Sequence, residues 1–208
     1  MPMNNPPHKI LIWNVRRSSS SNFFIFLLDL IRKHHPLIFI LIEAPMPNEV
    51  ARKVKDRFGY SNFHFVEPLN CHGGLWYFWK SPVQTIDFIS TKPSLFHSLI
   101  IFGPDELEVV VSAMHALSFS AAKPHFWHRL TQDPPLSSAL WLVMGDLNTV
   151  TSDKKNSGGT PVRSAYCTAF LNFVNSTSLV DLGFSGSLYT WDNGRPGLTG
   201  FKGIYIVF

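Results

Sequence analysis

Apolar positions along this chain recur with two different periods, and the alternation between them predicts the order of its elements. "KILIW" at 9–13 is a short β-branched and aromatic run, read as a strand. "SSSSNFFIFLLDLIRKHH" at 18–35 opens on serines that suit a helix start. It carries Phe23, Phe26, Leu27, Leu30 and Ile31 at helical spacing and ends in basic residues that suit a helix C-terminus. Pro36 blocks its continuation. "LIFILIE" at 37–43 is apolar without alternation, as expected of a strand buried on both faces. "PNEVARKVKDRFG" predicts a short amphipathic helix stopped by Gly59. Four strand-like runs follow, "NFHFVEP", "GGLWYFWK", "VQTIDFIS" and "HSLIIFG", and then "LEVVVSAMHAL", which alternates less and reads as central. "AAKPHFWHRLTQ" predicts a helix and "LWLVMGD" another buried strand. "RSAYCTAFLNFVNSTSL" has helical spacing at Tyr166, Phe170, Phe173 and Val174, and "LYTW" and "GIYIVF" are strand-like. Helices flanking a strand-rich middle, with no Gly/Ser linker and no repeat, predict a single α/β unit over residues 9–208 behind a disordered N-terminus at 1–8.

Composition adds little to that pattern but excludes several classes. The chain has 208 residues, 45% of them hydrophobic and only 15% charged, which is a core-forming balance and not a disordered one. A net charge of +4 suits an acidic partner such as nucleic acid without specifying one. Cys71 and Cys167 lie far apart, with neither disulfide-framework nor zinc spacing, and point to a reducing compartment. The N-terminal "MPMNNPPHKILIW" lacks the apolar core of a signal peptide, so an intracellular protein, nuclear or cytoplasmic and not secreted, is expected. The greasy stretch at 23–43 is interrupted by Asp29, Arg32, Lys33 and two His, and neither half reaches the roughly 20 apolar residues of a membrane span.

Three predicted strands end on a polar residue: "ILIWN" at Asn14, "LIFILIE" at Glu43, and "LWLVMGD" at Asp146 with Asn148 two residues on. Asn14 alone is most often a turn or cap residue, and Asp-x-Asn is as much a turn former as a site. Glu43 after so apolar a run is harder to dismiss, because Glu is rarely buried without a partner. Strand ends can converge at one rim, where a carboxylate and an amide suit Mg²⁺ and phosphate chemistry. Other candidates are weaker. His125 and His128 are spaced i, i+3 on a predicted helix with no further ligand to complete a zinc set. Gly73-Gly74 is not followed by the Lys-Ser/Thr of a phosphate loop, and "RKVKDR" reads as a solvated helix face.

"ILIWNVR", "FILIE", "GGLWYFWKSPV", "HALSFSAAKPHFWHRL", "WLVMGDLN", "KKNSGGTPV" and "LVDLGFSGSLYTWDNGRPG" occur in the order seen in the endonuclease/exonuclease/phosphatase superfamily. The chain most resembles the endonuclease domain of plant LINE-type (non-LTR) retrotransposons, over about residues 9–197. The resemblance implies a four-layer α/β/β/α sandwich of the DNase I-like kind, hydrolysis of phosphodiester bonds of DNA by water, and Mg²⁺ as cofactor with Mn²⁺ as a substitute. Carried over by motif, Asn14 and Glu43 belong to the metal site, Glu43 as the direct ligand. Asp146 aligns or deprotonates the attacking water, Asn148 orients groups around the phosphate, His115 lies near the phosphate, and Thr190 supports the site from the second sheet.

The pattern breaks at the C-terminus. The family closes with an Asp-His pair, whereas from residue 193 to 208 there is no Asp, Glu or His. The resemblance therefore implies a domain missing its last strands and impaired or inactive in hydrolysis, since a general acid-base group typically contributes about 10²- to 10⁴-fold in rate. Three alternatives stand beside that reading: an active phosphodiesterase with His115 as the replacement, a non-catalytic nucleic-acid binder using Arg16, Arg17, Arg163 and Arg195, and a small phosphatase of the same superfamily.

Overall fold

The computed structural model describes residues 8–15, 23–44, 46–67, 74–92, 95–103, 107–116, 122–135, 139–149, 156–157, 164–183, 191–192 and 202–203. They carry strands β1 (Ile10–Asn14), β2 (Ile38–Ala44), β3 (Asn62–Val66), β4 (Gly74–Trp79), β5 (Val83–Lys92), β6 (Leu95–Phe102), β7 (Leu107–His115) and β8 (Leu140–Asp146). Three two-residue strands follow: β9 (Asn156–Ser157), β10 (Trp191–Asp192) and β11 (Lys202–Gly203). The helices are α1 (Phe23–His34), α2 (Asn48–Phe58), α3 (Lys123–Gln132) and α4 (Ser164–Ser176). One four-stranded sheet has the order β1-β2-β4-β3, a second β5-β6-β7-β8, and β10-β11-β9 form a small third sheet. The chain divides between Val109 and Val110 into two compact units.

In the first unit, the period of two along each strand separates two faces of the first sheet. β1 and β2 run parallel, and β4 pairs antiparallel with both β2 and β3. Phe39, Leu41, Trp76 and Phe78, with Leu11, Trp13, Phe63 and Phe65, join one core cluster with Phe23, Leu27 and Ile31 of α1 and Ala51 and Val54 of α2. The intervening residues Ile38, Ile40, Ile42 and Tyr77 are equally buried on the opposite face. There β3 and β4 meet β5 and β6. His64 stacks on Phe88 at 4.0 Å, Tyr77 meets the same ring edge-on at 5.5 Å, and the Tyr77 hydroxyl lies 3.1 Å from Ser98 Oγ. Burial on both faces is why "IFILI" shows no polar alternation.

Helix ends follow the chemistry of their residues. α1 finishes on Arg32, Lys33 and His34, where cations oppose the carbonyl end of the helix dipole. Gly59, in the left-handed region at φ 70°, closes α2 with its N–H on the Lys55 carbonyl. The buried stripe of α1 is Phe23, Leu27 and Ile31. Phe26, expected on that face, is 57% exposed because it sits one step off the i, i+4, i+8 row.

In the second unit, α3 and α4 pack through aromatic rings. Trp127 is fully buried, with Phe170 and Phe173 at 4.7 and 5.3 Å. Trp141 of β8 meets Phe173 edge-on and donates its indole N–H to Ser112 Oγ on β7 at 2.7 Å. Among the described residues, no helix is long and apolar enough to cross a membrane.

Candidate functional site

At the end of β2 the ladder with β4 slips. Leu41 is opposite Trp76 and Ala44 is opposite Gly74, so two residues of β2, Ile42 and Glu43, face one of β4. This is a β-bulge, a device that re-aims a side chain. Glu43 takes φ 57°, the left-handed region that a residue with a Cβ adopts only at a cost. Strict alternation would send Glu43 to the face of Phe39 and Leu41, against the helices. Asn14 is in register with Ile42, on the opposite face. Yet Asn14 Nδ2 donates to Glu43 Oε1 at 3.1 Å. The bulge therefore turns the carboxylate onto the face of Asn14, and the parallel pairing of β1 with β2 places both residues at the same strand-end rim.

A second set of candidates lies in the other unit, where β7 and β8 end. Gly145, at φ 129°, precedes Asp146, and a Cβ on it would fall 2.0 Å from the Met114 carbonyl oxygen. Only glycine lets β8 approach β7 this closely. The Ala116 N–H donates to the Asp146 carbonyl at 2.8 Å, continuing the pairing one residue past the end of β7. The Asp146 side chain, 6% exposed, accepts the Asn148 backbone N–H on Oδ1 at 3.0 Å. Asn148 takes φ 46°, a conformation asparagine tolerates, and its Nδ2 donates to the Ala116 carbonyl at 2.7 Å. Asp146-Leu147-Asn148 is thus an Asx-type turn, tied by its own side chains and pinned by the fully buried Leu147. His115, half-buried at the end of β7, brings a ring nitrogen within 4.8 Å of an Asp146 carboxylate oxygen.

The structure thus brings Asn14 to Glu43, and His115 and Asn148 to Asp146. Thr190 lies outside the described residues, as do Arg16, Arg17, Arg163 and Arg195. His125 and His128 are exposed on α3, as solvated helix residues are. Sequence reasoning missed two features. One is the bulge, which leaves no trace in the run "IFILIEA". The other is Lys123, whose Nζ donates to the Asn148 carbonyl. A signal for Lys123 was present, namely a cation in the first turn of a helix that has no acidic residue there.

Comparison with known proteins identifies the class. The chain belongs to the Endonuclease/Exonuclease/phosphatase family, whose model matches residues 11–204. Its fold is similar to that of the AP endonuclease LMAP from Leishmania major, with a TM-score of 0.63 and 15% identity, covering 96% of this chain and 78% of that one. It is also similar to the endonuclease domain of TRAS1, a telomere-specific non-LTR retrotransposon, with a TM-score of 0.64 and 12% identity, covering 97% of this chain and 84% of that one. A humanized D. rerio TDP2 is similar at a TM-score of 0.51 and 14% identity, over 68% of this chain and 62% of that one. These likenesses establish the expected DNase I-like α/β fold. Among curated proteins, none matches the chain in sequence.

Proposed function

We propose that the chain is a divalent-metal-dependent phosphodiesterase of the retrotransposon endonuclease kind, acting on DNA. The observation that carries this reading is the bulged, left-handed Glu43 bonded to Asn14. A strained carboxylate re-aimed at a strand end toward an amide is costly for stability alone, and such strain clusters at functional sites. Asn14 and Glu43 offer hard oxygen donors of the type Mg²⁺ and Mn²⁺ accept, so the donor set fits the metal the family typically uses. Bound there, the ion supplies Lewis-acid stabilisation of charge on a phosphoryl oxygen.

The other residues act on water and phosphate. Asp146, with one carboxylate oxygen fixed by the Asn148 N–H, aligns the attacking water and accepts its proton. Asn148, set by the turn, orients the phosphate. His115 donates to a phosphate oxygen, and Thr190 supports the site.

Nicking of supercoiled plasmid by the purified chain in Mg²⁺ tests the proposal. Activity lost on EDTA treatment and in both Glu43→Ala and Asp146→Ala is the expected result. Activity that survives both substitutions overturns it. A second reading, a small phosphatase of the same family, is separated by release of inorganic phosphate from a soluble monoester without plasmid nicking.

A further inference from the structure

Lys123 is the first residue of α3, followed by Pro124, in a first turn without acidic residues. A cation there lies against the positive end of the helix dipole and is opposed by it. A residue that breaks a local rule needs a compensating contact, and such exceptions concentrate at functional positions. The contact is specific. The Lys123 ammonium crosses 25 residues of sequence to donate to the backbone carbonyl of Asn148. That carbonyl belongs to the residue that also bonds the Asp146 carboxylate through its N–H and the Ala116 carbonyl through its side chain. Asn148 is held on three sides, by Lys123 at its carbonyl, Asp146 at its N–H and Ala116 at its side chain, in a left-handed conformation at φ 46°.

We infer that Lys123 is a positioning residue for the Asp146-Leu147-Asn148 turn. Its ammonium fixes the Asn148 backbone, and through the Asn148 N–H it fixes the direction of the Asp146 carboxylate. The catalytic part of this inference rests on the proposed phosphodiesterase reading; the clamp does not. A lysine suits the task, because an ammonium is a compact charge with three donors on a flexible stem. A charge-assisted bond to a carbonyl at a partly buried position is stronger than a neutral one. Misplacing a catalytic carboxylate by a fraction of its working geometry lowers turnover and leaves substrate binding largely intact.

Two measurements on the full chain, wild type beside Lys123→Met and Lys123→Arg, decide the matter. Backbone amide exchange reads the clamp. In Lys123→Met the Asn148 amide exchanges faster by about tenfold or more, while Ile40 in the centre of β2 exchanges as in wild type. Lys123→Arg, which keeps a cationic donor, restores most of the protection. Unchanged exchange at Asn148 in Lys123→Met overturns the clamp, whatever the nicking assay gives. Faster exchange at both Asn148 and Ile40 overturns it too, since Lys123 would then be acting on global stability.

Plasmid nicking in Mg²⁺ reads the consequence. Lys123→Met lowers kcat on the order of tenfold with KM little changed, and Lys123→Arg recovers it. A clamp that loosens with no fall in kcat, or a loss confined to KM, overturns the positioning role. Wild-type protein that nicks nothing overturns the phosphodiesterase reading and with it the catalytic role, while the exchange comparison still decides the clamp.

Discussion

The carbonyl oxygen of Met114 occupies the space into which a side chain at Gly145 would project: an ideal Cβ there would lie 2.0 Å away. The contact joins β7 to β8 one residue before Asp146, so it fixes both the pairing of the strands and the place of the carboxylate. A single methyl at this point must push the strands apart or twist Gly145 out of its φ of 129°. Gly145→Ala is expected to destabilise the chain by about 3 kcal/mol, combining backbone strain with steric displacement. Urea unfolding followed by tryptophan fluorescence measures it. A loss below about 0.5 kcal/mol, the range of ordinary surface substitutions, contradicts the contact.

Glu43 separates function from stability. At φ 57° a glutamate is strained where a glycine is not. Glu43→Gly is expected to raise stability by about 0.5–1 kcal/mol over Glu43→Ala, because the alanine keeps the Cβ penalty. Both variants lose the carboxylate, and both lose metal-dependent nicking. Equal stability of the two variants, from paired denaturation curves, would show that the bulge carries no strain.

The pair Tyr77–Ser98 ties β4 to β6 through hydroxyls 3.1 Å apart in a buried setting. Burial raises the Tyr77 phenol, so it stays neutral over the whole working range of pH. Tyr77→Phe leaves the Ser98 hydroxyl buried without this partner and is expected to cost about 1–3 kcal/mol. Adding Ser98→Ala removes the other hydroxyl of the pair, so the double variant is expected to lose less than the two single losses together. A double-mutant cycle in thermal unfolding checks the coupling, and strictly additive losses would refute it.

His64 gives the first unit a dependence on acid. It stacks on Phe88 at 4.0 Å, and burial holds its imidazole below the usual histidine value. The unfolded chain therefore takes up its proton at a higher pH than the folded chain does. Stability from this group is fully present above the unfolded value of about 6.5 and is lost as pH falls from there through the folded value. Thermal midpoints measured from pH 8 to pH 5 should fall below pH 6.5, and His64→Phe should flatten part of that fall. A variant with the wild-type slope would show that His64 does not contribute.

The local elements were legible because their causes are local. The base-ended run of α1, the Gly59 stop and the unbroken apolar run of β2 each carry their own signal in the order of residues. Phe26 marks where this fails. Its helical spacing alone is compatible with the buried face, but which row of α1 meets the sheet is set by Trp13, Phe39 and Trp76, which come from three strands.

The three strand-end residues Asn14, Glu43 and Asp146 were legible too, because a polar side chain closing an apolar run is conspicuous. What each of them bonds to was not. Asp146-Leu147-Asn148 is a turn in the structure, and the turn holds one oxygen of the Asp146 carboxylate on the Asn148 N–H. The bond from Asn14 to Glu43 depends on one extra residue in β2 opposite β4, and the clamp on Asn148 depends on a lysine 25 residues upstream. The sequence by itself determined which elements form and which side chains end the strands, since propensity, period and capping act over a few residues. Only the tertiary structure decided the bulge, the pairing of Asn14 with Glu43 and the hold of Lys123 on Asn148, because each is a contact between segments that chain order leaves far apart.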